Sequence, residues 1–161
     1  MENEWSSIRQ GFTVSDKSGK EVYVAEVDGL LRVASTEEPR IIVEVKPNVR
    51  RFSDSTYDKI RMQEATQMAA WITEYPYLAT QPQGSANTQY RRLLISQDKH
   101  EIYVTVATFD DDHIKYIQHR GPVTSFLKLT EFGPFPVTDH KRMRFLGEFM
   151  LAMSIQGGFF F

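Results

Sequence analysis

The sequence predicts a mixed α/β (α+β) domain, with a β-hairpin, one long helix, further strands and a closing helix. Three observations carry this. Residues 20–34 (KEVYVAEVDGLLRVA) alternate and are rich in β-branched and aromatic side chains, and residues 40–46 (RIIVEVK) begin with a continuous apolar run. Between Tyr57 and about Glu74 the apolar residues Met62, Ala65, Met68, Ala69 and Ile72 recur at helical spacing. Two more apolar, β-branched segments, 90–96 and 101–109, follow with the turn QDKH between them. A length of 161 residues suits a single domain, 1–161, and is short for two.

Each element has local signals. A short N-terminal helix is expected before the first strand. Residues 35–39 (STEEP) form a turn ending in Pro39, and Pro47 closes the second strand, so the two strands pair as an antiparallel hairpin. Ser55 followed by Asp58 resembles a capping box with the shorter acid and starts the long helix. The helix stops before Pro76, and 73–89 is a loop rich in Pro, Gly and small polar residues. HIKYIQH (113–119) reads as a third strand of the later group, and GPFP (133–136) as a break. Thr138 or Asp139 can cap a last helix over about 140–154, with Met143, Leu146, Met150 and Met153 on one side.

Composition narrows the function classes. The absence of cysteine excludes disulfides and Cys-ligated zinc or iron–sulfur sites, and fits a reducing compartment. The N-terminal MENEWSSIRQ lacks the apolar core of a secretory signal, and no apolar run approaches the ~18 residues of a membrane span. An intracellular protein of cytoplasm or nucleus, with no membrane segment, is therefore expected. A net charge of −2 gives no whole-molecule attraction to nucleic acid. Basic residues nevertheless cluster at Arg50-Arg51, Arg91-Arg92, His119-Arg120 and Lys141-Arg142 with Arg144. An acidic, metal-requiring site with a basic rim would have this balance. The terminal SIQGGFFF is expected to pack its phenylalanines onto the domain or a protein partner, or to continue into a longer chain.

The candidate chemistry lies in the hairpin. Side chains alternate along a strand, so Glu44 shares a face with Lys46, and Glu26 with Asp28. A hairpin turning around 35–37 sets Asp28 opposite Glu44 and Glu26 opposite Lys46, with Cβ atoms roughly 4.5–5.5 Å apart. Two opposed carboxylates repel unless a cation lies between them, and Mg²⁺ or Mn²⁺, which take hard oxygen ligands, are the natural occupants. Charges set among Ile41, Ile42, Val43 and Val45 mark either such a site or a partly buried ion pair, Glu44–Lys46 or Glu26–Lys46; the strand sequence alone does not choose.

V-D-G-L-L-R-V at 27–33, I-I-V-E-V-K at 41–46 and Q-M-A-A-W-I at 67–72 together resemble the PD-(D/E)XK, or restriction-endonuclease-like, nuclease superfamily. The last segment resembles the Gln-bearing helix motif of its exonuclease-like members. The match covers roughly 20–110 and follows the superfamily's order of strand, strand, helix, strand. A weaker likeness, through IVEVKP, R-x-Q-E-A-T-Q-M and GPFP, is to nuclease-like domains of fungal proteins. The resemblance implies a central mixed sheet and a Mg²⁺- or Mn²⁺-dependent nuclease acting on DNA rather than RNA. Many members cut duplexes as dimers, which leaves a homodimer open, and others are inactive. An inactive interaction module binding protein through Phe159–Phe161 is therefore the alternative.

On that resemblance Asp28 and Glu44 bind the metal, with the Val45 carbonyl completing the shell, and Lys46 orients or helps deprotonate the attacking water. Gln67 steadies Lys46 or contacts the phosphate, and Gln63 or Glu64, one turn earlier, can take its place. The acid that many members supply from a first helix falls to Glu4, or second to Glu2, and Val27 stands where many members carry proline. Lys59, Arg61, Arg50 and Arg51 are candidates for backbone phosphates. Elsewhere, Asp110–Asp112 with His113 reads as a solvated turn, the four histidines lack helical metal spacing, and Trp71 and Phe126 read as core.

Overall fold

The anticipated hairpin forms between β4 (Gly29–Val33) and β5 (Pro39–Lys46), in the antiparallel register inferred above: Gly29 faces Val43, Leu30 faces Ile42 and Leu31 faces Ile41. This computed structural model describes residues 2–51, 55–78 and 88–156; most of the Pro- and Gly-rich loop and the C-terminal phenylalanines lie outside the described residues. The turn is closed by the Glu37 N–H on the Val33 carbonyl at 2.8 Å, with Glu37 in the left-handed region at φ 59°.

The strand read over 20–34 is in fact two. The chain breaks at Asp28, and β3 (Glu21–Val27) pairs with β2 (Gln10–Ser15) in a separate two-stranded sheet. Glu26 therefore faces Gly11 and not Lys46. Both halves carry strand-like patterns, but β3 uses Ala25 and Val27 against the long helix rather than in the main sheet. The expected N-terminal helix is also a strand, β1 (Asn3–Ser6), on the free edge of β4. Four residues are too few to sustain a helix, whereas an open edge offers backbone partners at once. A Cβ on Gly29 would lie 2.7 Å from the Ser6 carbonyl oxygen, so the approach of β1 requires glycine there.

After β5 comes α1 (Ser55–Glu74), then β6 (Gln89–Asp98), β7 (Glu101–Asp110), α2 (Asp111–Ile117), β8 (Lys128–Pro136) and α3 (His140–Gln156). The main sheet runs β1-β4-β5-β6-β7-β8, antiparallel throughout except for β5 and β6. Parallel neighbours need a crossover, and α1 supplies it. Alternation gives the sheet two apolar faces. Leu30, Ile42 and Leu94 pack under Met68, Trp71 and Ile72 of α1, while Leu31, Ile41, Leu93, Ile95 and Val104 pack under Leu146 and Met153 of α3. Full burial of each such aliphatic side chain contributes about 1.5–3 kcal/mol. The small sheet covers the outer side of α1, with Phe12 stacked on Trp71 at 6.3 Å. Arg92 closes the far end of α1: it donates to the carbonyls of Tyr75 and Pro76 and lies over the rings of Trp71 and Phe109. Burial lowers its guanidinium to about 9.

Three later expectations change. HIKYIQH belongs mostly to helix α2: the Asp110 carboxylate caps it by accepting the His113 N–H at 2.9 Å, and Asp111 and Asp112 suit the positive end of the helix. GPFP does not break the chain but lies inside β8, where Gly133, at φ 136°, accommodates a shift of register against β7. Phe126 is not core; it is 71% exposed. The last helix begins as anticipated, with Asp139 accepting the N–H groups of Lys141 and Arg142. No described helix is long and apolar enough to cross a membrane.

His113 is buried with neither ring nitrogen hydrogen-bonded. Burial holds its imidazole below the ordinary histidine value, more than the nearby Ser125 backbone and Asp110 carboxylate raise it. The fold therefore prefers neutral His113, and stability falls as pH drops through about 6.5, where the unfolded chain takes up the proton first. Urea unfolding at pH 7.5 and 5.5 should show a loss that is smaller in His113→Phe. An equal loss in both proteins would place the acid sensitivity elsewhere.

Candidate functional site

The face of the main sheet under α1 is apolar at one end and polar at the other. Along β5 the same face reads Ile42, Glu44, Lys46, and along its parallel neighbour β6 it reads Leu94, Ser96, Asp98, with Glu44 beside Ser96 and Lys46 beside Asp98. The helix above matches this division. Its later residues Met68, Trp71 and Ile72 lie over the apolar end, and its middle brings Gln63, Glu64 and Gln67 over the polar end. A spacing of four residues stacks Gln63 and Gln67 on one side of the helix.

Glu44 is 6% exposed, and each of its oxygens accepts one amide. Gln63 Nε2 donates to Oε1 and Gln67 Nε2 to Oε2, both at 2.6 Å, and Gln67 Nε2 also lies 2.7 Å from the Glu26 carbonyl. Burial pushes the Glu44 carboxyl up; Lys46 and the glutamines oppose this, and the charge of Asp28 adds to it. Asp28 stands at the break between β3 and β4, one position before the paired Gly29, and is held by the backbone. Its N–H donates to the Val43 carbonyl at 3.0 Å, and its Oδ2 accepts the Val45 N–H at 2.9 Å. On its open side Arg9, itself largely exposed, lies 3.2 Å from Oδ1.

Lys46 lies between carboxylates, 3.7 Å from Glu44 Oε1 and 3.8 Å from Glu64 Oε1. Its ammonium is buried and completes no hydrogen bond. Behind it sits a charged cluster. Arg50, fully buried, donates to Glu64 Oε1 at 2.7 Å, to Asp98 Oδ2 at 2.6 Å, to Ser96 Oγ at 3.0 Å and to Glu131, and it lies 3.9 Å over the Tyr103 ring. Burial alone would lower the guanidinium, but Asp98 and Glu64 together raise it, so Arg50 stays charged. A cleft of about 430 Å³ opens beside the amides, lined by Val24, Ala25, Glu26, Gln63, Thr66 and Gln67.

Of the residues singled out from the sequence, Asp28, Glu44, Val45, Lys46, Gln63, Glu64 and Gln67 come together. Glu4 does not: its carboxylate pairs with Arg32 at 2.8 Å on the β1 edge. Glu26 offers the site its carbonyl, while its side chain is exposed on β3. Arg50 and Arg61 are not free for phosphate either, since Arg50 is buried and Arg61 pairs with Glu131 at 2.9 Å. Ser96, Asp98, Tyr103 and Glu131 were missed. The polar end of β6, LLISQD, carried the one available signal, two small polar groups interrupting a buried strand at alternate positions.

Chemically, the site joins oxygen donors to a buried ammonium with unused N–H bonds. Each carboxylate oxygen accepts at about two positions, so the amides on Glu44 leave lone pairs for a hard cation. Mg²⁺ keeps several waters and needs only one or two protein carboxylates, and Asp28 and Glu44 are the two acidic side chains here that do not bind Arg50. Among the described residues no group of three or more His, Cys, Asp or Glu side chains is placed to hold a metal ion.

Because the folded state favours protonated Glu44, its stability falls as pH rises through the interval above the ordinary glutamate value and stays lowered at neutrality. Metal-free Glu44→Gln should therefore melt above the unmodified protein at pH 7, with the difference shrinking as pH falls toward 4. A lower melting temperature at pH 7 would mean that Lys46 and the glutamines outweigh burial.

In comparison with known proteins, the chain matches no family model, no curated protein and no solved structure. What it does must be read from its own residues.

Proposed function

We propose that this chain is a Mg²⁺- or Mn²⁺-dependent nuclease, hydrolysing phosphodiester bonds of DNA in preference to RNA, on a restriction-endonuclease-like core. The observation that carries the reading is Glu44 beneath Gln63 and Gln67 with a hydrogen-bond-free Lys46 beside it, and the charge of Asp28 felt at Glu44. A composition-blind ion pair would need only two of these groups. The antiparallel β4–β5 hairpin, the α1 crossover and parallel β6 support the fold part of the proposal, because the superfamily resemblance calls for that order.

In this reading Asp28 and Glu44 would hold the metal, with the Val45 carbonyl as a third oxygen. The chemistry a divalent ion would supply there is a lower pKa for a water molecule and compensation of charge on the attacked phosphate. The protein's own residues do the remainder. Val45 N–H and the two glutamine amides fix the carboxylates before substrate arrives, which avoids reorganisation during reaction. Lys46 directs its unused N–H bonds at the water or the phosphate oxygens. The adjoining cleft receives the nucleic acid, and a second copy of the chain would allow both strands of a duplex to be cut.

A second reading, a catalytically silent interaction module, draws on Phe132, Phe145, Leu151 and Ile155, all more than half exposed on β8 and α3. One assay separates the two. A fluorescent oligonucleotide duplex and its single strands are incubated with Mg²⁺, Mn²⁺ or EDTA. Cleavage should require the metal and fall about 10²–10⁴-fold in Lys46→Ala, and comparably in Glu44→Ala, with folding retained. Undiminished cleavage by Lys46→Ala would refute the mechanism, and metal-independent inertness of the unmodified protein would favour the interaction module.

A further inference from the structure

We propose that Glu64 is the positioning residue for Lys46, held by the buried Arg50 cluster so that the ammonium stays aimed into the site with its N–H bonds unused. The catalytic meaning of this inference rests on the nuclease reading above; the mechanical part does not.

Lys46 is a long side chain whose rotamer freedom costs up to about 2 kcal/mol to suppress. No hydrogen bond suppresses it here, since Nζ has no partner and lies 3.7–3.8 Å from its two carboxylates. Of those two, Glu44 has both oxygens engaged by Gln63 and Gln67, the two amides that line the cleft. Glu64 faces the interior: its side chain is 1% exposed and both oxygens are within reach of the Arg50 guanidinium, Oε1 at 2.7 Å and Oε2 at 3.5 Å. Arg50 is immobile in turn. Asp98 anchors it from β6, Glu131 from β8, and the Tyr103 ring from β7.

The chain of contacts therefore runs from three strands of the sheet, through one guanidinium, to one carboxylate on α1, and from there to Lys46. A charged bond would draw an N–H of Lys46 toward its acceptor and away from substrate. A charge 3.8 Å away restrains the ammonium without taking up any N–H. This fits a group that must meet its target within a narrow geometry, where an error of about 1 Å costs roughly a hundredfold in rate. An ion pair that served stability alone would close to hydrogen-bonding distance, as Arg50 does with both Glu64 and Asp98.

The test reads Lys46 directly in metal-free protein, so it does not depend on activity. In ¹³C-lysine-labelled protein, assigned with Lys46→Arg, a fixed Lys46 side chain should give two distinct resonances for its ε-methylene protons. Glu64→Gln keeps the shape and an acceptor for Arg50 but removes the charge, and should merge the two resonances into one while the melting transition remains cooperative. Glu64→Asp keeps the charge on Arg50 and withdraws the carboxylate by one methylene; it should merge them as well, and decides the matter if Glu64→Gln does not fold. In active protein either variant should lose about tenfold or more in kcat with KM little changed. Two resolved resonances persisting in a folded Glu64 variant would overturn the inference. Failure of the unmodified protein to cleave with metal would instead strike the nuclease reading and leave the resonance result to decide the role of Glu64.

Discussion

The buried guanidinium of Arg50 is the constraint around which the polar half of this protein is arranged. It binds Glu64 of α1, Asp98 and Ser96 of β6 and Glu131 of β8, and it stacks on Tyr103 of β7. One guanidinium thus ties α1 to three strands of the main sheet. Removing one partner from a buried charged cluster costs about 3–5 kcal/mol, because the charges left behind have no water. A well-packed apolar replacement of the whole cluster can be neutral or better. Stability alone is therefore a weak reason for the cluster, which also fixes the geometry of its neighbours.

That geometry explains why one helix serves two purposes. The second half of α1 is an ordinary core element, with Met68, Trp71 and Ile72 at zero exposure between the main sheet and the small β2–β3 sheet. Its middle turns lie over Glu44, Lys46, Ser96 and Asp98, where apolar side chains would strand buried charges. Gln63, Glu64 and Gln67 occur there because each answers a specific polar group below. The apolar half fixes the position of the helix along the sheet, and the polar half inherits that accuracy. Site and core are thus two ends of one packing surface.

How much of this was legible in the sequence follows from how local each cause is. Strand alternation and the STEEP turn placed Asp28 and Glu44 at adjoining ends of one hairpin, since register there depends on a few neighbouring residues. Helical spacing likewise located α1 and α3. The break at Asp28 was not legible: it arises because β1, distant in sequence order, takes the edge of β4 against Gly29 while β3 turns away to cover α1. The fate of HIKYIQH depended on Asp110 as a cap, a signal outweighed in the reading by β-like composition. Arg50 sits in a polar stretch with no periodicity, so its burial is set entirely by residues 14 to 81 positions away and leaves no local trace.

The charges around the site also resolve the apparent conflict between a net charge of −2 and a nucleic-acid substrate. Glu44, Glu64, Asp98 and Glu131 lie within one ion-pair network with Lys46, Arg50 and Arg61, and Asp28 pairs separately with Arg9, which makes five negative groups against four positive. Such a pocket repels a phosphate and attracts a cation. On the proposed reading, metal occupancy would reverse the sign of the site and so precede productive approach of the phosphate. On the same reading the two ligands would enter in order, metal before phosphate.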